Sequence, residues 1–149
     1  MGITMNILSK AGTITPEQDK TNISLDFNVP EGVKRLKVEY SYSPKEICDR
    51  STANALIVSA MKKYDIGFAN PEAFLPVKNL ITPSFDECGE YRGACHRQAN
   101  RQTIIISDSD STPGIINRPL KAGNWDIVLN IHFVGCSVDY SIEIYGEVE

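Results

Sequence analysis

The chain has 149 residues, a length that suits one domain and leaves little room for a second. Hydrophobic residues at 42% and charged residues at 23% match an ordinary globular domain, which excludes disordered, collagen-like and low-complexity architectures. A formal net charge of −4 argues against a general nucleic-acid binder, and a domain of this size needs neither a metal nor a disulfide to hold its core.

Met1 to Lys10 alternates apolar and polar residues and lacks a basic segment followed by a continuous apolar one, so no secretory signal is read and a cytoplasmic location is expected. The longest nearly apolar run, Ala53 to Met61, is broken by Asn54 and Ser59 and is far shorter than a spanning helix, so no membrane partner is expected. Cys48, Cys88, Cys95 and Cys136 contain no Cys-x-x-Cys pair, which removes zinc-knuckle and thioredoxin-like chemistry and leaves reduced thiols as the expectation.

Period-two patterning dominates. Ile23, Leu25, Phe27 and Val29 alternate with polar residues, and after the turn Pro30-Glu31-Gly32 so do Leu36, Val38, Tyr40 and Tyr42. These two strands are expected to be antiparallel neighbours. The period then changes: Ala53, Leu56, Ile57, Ala60, Met61 and Tyr64 recur at helical spacing, with Ser51 or Thr52 as N-cap and Gly67 beyond the end. Asn70, Pro71 and Pro76 suggest an irregular connection up to Leu80. Strand character returns at Asn79 to Phe85, where Pro83 implies an edge or a bulge, and again at Gln102 to Ser107. Between these two the stretch from Asp86 to Arg97 is expected to be a loop. Trp125, Ile127, Leu129, Ile131 and Phe133 share one face of a strand, as do Val138, Tyr140, Ile142 and Ile144, with a tight connection marked by Gly135. The expected fold is an all-β, antiparallel β-sandwich, one domain over residues 1–149, with one helical insertion around residues 51–65.

The expected loop gathers charged and polar groups: Asp86, Glu87, Glu90, Tyr91, Arg92, Cys95, His96 and Arg97. His132, with strand parity opposite to Ile131 and Phe133, projects away from the buried face. If the loop folds over that face, Arg92, His96, Arg97 and His132 form a cationic pocket for a phosphate or carboxylate, with Tyr91 as an exposed aromatic beside it. The plainer alternative has Arg92 or Arg97 paired with Asp86 or Glu90 and both histidines merely half-exposed. Asp108 and Asp110 offer hard oxygen ligands for a divalent metal, but their spacing does not fit an EF-hand. No Gly-x-Ser-x-Gly elbow, phosphate-cradling Gly-Lys-Ser/Thr loop or dinucleotide fingerprint occurs, and no complete catalytic constellation is read. The candidate nucleophile pairs are Cys95 or Cys136 with His132.

The segments Asn79-Leu80-Ile81-Thr82, Tyr91-Arg92-Gly93-Ala94-Cys95-His96-Arg97, Thr112-Pro113-Gly114, Gly123-Asn124-Trp125 and Ile131-His132 occur in a fixed order. In that order and spacing they resemble the N-terminal jelly-roll-like domain of polymerase-and-histidinol-phosphatase (PHP) metallohydrolases of the CehA/McbA group. The resemblance runs from Asn79 to Tyr145 and includes the strand end Phe27 to Pro30. It implies a non-catalytic accessory domain, without a cofactor of its own, that docks on or shapes the substrate entrance of a PHP-type catalytic domain in cis or in trans. That family's metal chemistry resides in a following domain rich in histidine and carboxylate, whereas this sequence holds only His96 and His132. A carbohydrate-binding module is the alternative reading, and a small metal-dependent hydrolase the third.

Overall fold

The computed structural model describes residues 3–47, 50–64 and 77–148. Eight strands and one α-helix follow in the order β1 (Ile3–Ile14), β2 (Asn22–Val29), β3 (Val33–Ser43), α1 (Arg50–Lys63), β4 (Leu80–Glu87), β5 (Glu90–Ala94), β6 (Arg101–Ser107), β7 (Gly123–Phe133) and β8 (Val138–Val148). They form two four-stranded antiparallel sheets, with orders β1-β8-β3-β6 and β2-β7-β4-β5. The chain is an all-β sandwich with one helical insertion.

The alternating residues do what their period requires. Phe27, Val29, Ile81, Phe85, Trp125, Ile127, Leu129 and Ile131 face inward from one sheet. Leu36, Val38, Tyr40, Tyr42, Ile104, Ile106, Ile142 and Ile144 meet them from the other. Two tyrosines bridge the layers: the Tyr40 hydroxyl donates to the Ile81 carbonyl at 2.8 Å and the Tyr42 hydroxyl to the Asn79 carbonyl at 3.3 Å. Burial pushes the Tyr40 phenol well above its ordinary range, so it remains a donor.

Two expectations are corrected. β2 and β3 are not sheet neighbours; the turn with Gly32 at φ +90° carries the chain from one sheet to the other, as does the connection from β7 to β8. Alternation reports which face is buried, and a strand pair facing each other across the core alternates just like a hairpin. Of the edge or bulge expected at Pro83, β4 is not an edge, since it lies between β7 and β5, but its pairing does shift register on either side of Pro83, between Leu80 and Ile81 against β7 and between Phe85 and Asp86 against β5. It tolerates Pro83 because β5 pairing ends at Ser84, one residue short of the missing N–H, while the Pro83 carbonyl accepts the Cys95 N–H at 2.9 Å.

The helix spans Arg50–Lys63, which puts Ser51 and Thr52 inside its first turn rather than at the cap. Ala53 and Ile57 are buried, whereas Ala60 and Tyr64 are exposed, so only the first half of the expected apolar stripe is covered. Leu56 and Ile47 close over Gly135, where a Cβ would collide with both. Gly67, Asn70, Pro71, Pro76 and Cys48 lie outside the described residues. Cys88, Cys95 and Cys136 are free thiols, and no helix among the described residues is long and apolar enough to cross a membrane.

Candidate functional site

The stretch expected as a loop is largely a hairpin. β4 runs through Glu87, Cys88 and Gly89 turn with φ of +50° and +86°, and β5 returns through Glu90–Ala94. Strand parity then sorts the charged residues. Tyr91 points outward and is 59% exposed, while Arg92 points inward and is fully buried. Gly93 and Gly114 bring two backbones into contact. A Cβ at Gly93 would lie 2.5 Å from the Gly114 carbonyl oxygen, one at Gly114 would strike that of Ala94, and both residues adopt positive φ. This clasp is sealed by Ala94 N–H to Gly114 O at 3.1 Å and Ile116 N–H to Arg92 O at 2.9 Å.

Arg92 therefore belongs to the core. Its Nη1 donates to both Glu87 oxygens at 2.9 and 3.0 Å, and its Nη2 to the carbonyls of Ser107 and Arg118 at 3.1 and 2.5 Å. The guanidinium stacks over Trp125, 5.6 Å from the ring centroid. Glu87, also fully buried, accepts in addition from Arg118 Nη2 and from the Lys121 N–H, each at 2.8 Å. Burial alone would raise the Glu87 carboxyl; the Lys121 N–H and the two arginines outweigh it and hold the group below its ordinary value. Ion pairing with a carboxylate was the alternative for Arg92, but the partner is Glu87 rather than Asp86 or Glu90.

The histidines do meet. Beyond Ala94 the chain stays hydrogen-bonded to β4, Cys95 turns into the core, and His96 lands on the outer face of the sheet beside Thr82. β7 places Asn130 opposite Thr82 and His132 two residues further on the same face. Thr82 Oγ1 lies 2.8 Å from His96 Nδ1 and 2.8 Å from His132 Nε2, and the two rings pack edge to face with centroids 5.7 Å apart. Burial, joined by the neighbouring His96, holds His132 below the ordinary imidazole pKa, so it gains a proton less readily.

The two histidines line an open pocket of about 320 Å³ together with Lys20, Asn22, Asn130 and Ile131. Lys20 sits in a left-handed turn at φ +60°, its ammonium 3.5 Å from Asp19 and 5.8 Å from the centre of the Phe133 ring. Asp19 anchors that turn by accepting the Val134 N–H at 2.9 Å. Lys20, Asn22 and Thr82 were not among the expected site residues. The only sequence signal for them was Thr82 within Asn79-Leu80-Ile81-Thr82, because contacts between residues so far apart leave no periodic trace.

The remaining candidates lie apart from this pocket. Arg97 donates to the Pro113 carbonyl at 2.6 Å and sits beside the Cys95 thiol, which burial keeps above its ordinary pKa despite that cation. With Cys95 in the core, no Cys95–His132 nucleophile pair forms; Cys136 instead accepts from Asn79 Nδ2 at 3.4 Å. Asp110 bonds Ser107 and the Arg35 guanidinium, the latter at 2.5 Å, and neighbouring Asp108 is exposed. Among the described residues no three His, Cys, Asp or Glu side chains are grouped to hold a metal ion. Trp125 is fully buried, its indole N–H on the Lys121 carbonyl at 2.8 Å, so it offers no sugar-stacking face.

Fold and site together define a two-sheet β-sandwich with a histidine-lined pocket on the outside of one sheet. No family model and no curated protein matches the chain. Among solved structures it is similar to the crystal structure of GEBA250068378 from Sulfurospirillum deleyianum, at 11% identity and a TM-score of 0.33, over 91% of this chain and 96% of that one.

Proposed function

We propose that this chain is a non-catalytic binding domain that holds a small anion in the pocket at His96, His132 and Lys20. In this reading it serves as an accessory to a PHP-type catalytic domain, in cis or in trans, docking on it or shaping its substrate entrance. The observation that carries the binding part is the convergence of His132 from β7 and His96 from the segment after β5 on one buried threonine hydroxyl, at the rim of a pocket that also holds a lysine. The accessory part rests on the ordered segments from Asn79 to His132 described above. Arg92 and Arg97 have no role in the pocket, since both are engaged elsewhere.

Thermal denaturation with inorganic phosphate, sulfate, acetate and oligosaccharides, on the wild type and a His96→Ala/His132→Ala variant, tests the binding part. Saturation at about 100 times Kd stabilises the folded state by roughly 2.7 kcal/mol. Stabilisation by an anion that vanishes in the variant is expected. Stabilisation by oligosaccharide alone, or by nothing, overturns the reading.

A further inference from the structure

Thr82 is 1% exposed, and among the described residues the side chains that hydrogen-bond its hydroxyl are the two imidazoles. A hydroxyl has one proton to donate and two lone pairs to accept with. It therefore donates to one facing nitrogen and accepts from the other, so in the neutral pair one of His96 Nδ1 and His132 Nε2 carries hydrogen and the other does not. The tautomers are complementary. Of the two remaining nitrogens, His96 Nε2 and His132 Nδ1, one is then an N–H donor and the other a bare lone pair.

Adding one proton fills that lone pair and leaves the Thr82 bonds intact. The singly charged pair thus presents two N–H donors on the nitrogens that Thr82 does not use. A second proton has no such place. Both facing nitrogens would become donors, Thr82 would have to accept twice, and its own hydroxyl proton would be left buried without an acceptor, beside two like charges.

We propose that the His96–Thr82–His132 unit takes up a single proton and in that state binds a tetrahedral dianion of the sulfate or phosphate-monoester class, through one N–H of each imidazole and the Lys20 ammonium. This rests on the anion-binding reading above. The charged groups around the pair are Lys20, which lines the same pocket from the turn before β2, and Asp19, whose Oδ2 lies 3.5 Å from that ammonium while its Oδ1 accepts the Val134 N–H. Arg97, next to His96 in the chain, is turned to Pro113. Asn22 and Asn130, from β2 and β7, are neutral. A tetrahedral ion offers oxygens in three directions to three donors, where a planar carboxylate serves two.

Isothermal titration with inorganic sulfate tests this, because sulfate keeps its charge across the pH range in which imidazoles titrate. Repetition in buffers of different ionisation enthalpy counts the protons taken up. One proton per sulfate is expected above the pair's pKa, with Kd rising tenfold per pH unit there. Acetate should bind at least tenfold more weakly. Thr82→Val, which keeps the shape and removes the hydroxyl, should weaken sulfate at least tenfold and abolish the single-proton stoichiometry, while Thr82→Ser retains both. No binding of sulfate or phosphate by the wild type overturns the anion-binding reading itself. Sulfate binding without proton uptake, equal affinity for acetate, or binding indifferent to Thr82→Val overturns the coupling and leaves that reading standing.

Discussion

Replacing Arg92 by methionine tests the logic of the buried ion cluster. The substitution keeps an unbranched side chain of similar reach over Trp125 but removes two bonds to Glu87 and those to the carbonyls of Ser107 and Arg118. Glu87 stays fully buried and retains Arg118 and the Lys121 N–H. Removing one partner of a buried pair costs about 3–5 kcal/mol. At about 2–4 °C per kcal/mol for a domain near this size, the melting temperature should fall by roughly 6–20 °C. Urea denaturation at neutral pH supplies the free energy directly. The double variant Arg92→Met/Glu87→Leu replaces the pair by apolar side chains and should lose much less than the two single variants combined. A single variant that loses under about 1 kcal/mol, or a double variant that loses the full sum, would refute the account.

Acid should act through the same cluster. The Glu87 carboxyl is lowered in the folded state, so its contribution is present above the unfolded glutamate pKa of about 4.3 and is lost as pH falls through the folded value; Glu87→Gln should flatten that part of a pH–stability profile. His132 adds a milder slope of the same sign, because its lowered pKa lets the unfolded chain bind the proton first as pH drops below about 6.5. Asp26, Asp126 and Asp86 stand directly opposite one another across β2, β7 and β4. Like charges so placed repel, so Asp126→Asn should stabilise by about 0.2–1 kcal/mol per relieved pair, with a smaller gain in high salt, as read by urea denaturation. Gly114→Ala, at φ +104° and against the Ala94 carbonyl, should destabilise by about 1–3 kcal/mol in the same assay.

The sequence made faces legible and left partners hidden. Alternation placed Trp125, Ile127 and Leu129 inward and His132 outward, and the change of period located the helix. Both signals arise within a few residues. Which strand lies beside which depends on packing across the whole core, so β2 and β3 looked like a hairpin although they belong to different sheets. β5 escaped notice because its inward position is filled by Arg92, whose charge hides the alternation that Tyr91 and Arg92 obey. The meeting of His96 with His132 followed from the outward parity of one and a fold-dependent placement of the other. Thr82, which joins them, carries no charge and no motif of its own.

The crossing of successive strands between the layers has a kinetic consequence. Ile14 pairs with Val138 and Ile3 with Val148, so among the described strands β1 has one sheet partner, β8, the last of them to be synthesised. A ribosome emitting this polypeptide releases an edge strand that has nothing to zip onto until β8 emerges. Such high contact order belongs to slow folders, in the range of milliseconds to seconds. Throughout that wait the strand Ile3–Ile14 remains an open template, vulnerable to pairing with a strand from another nascent chain.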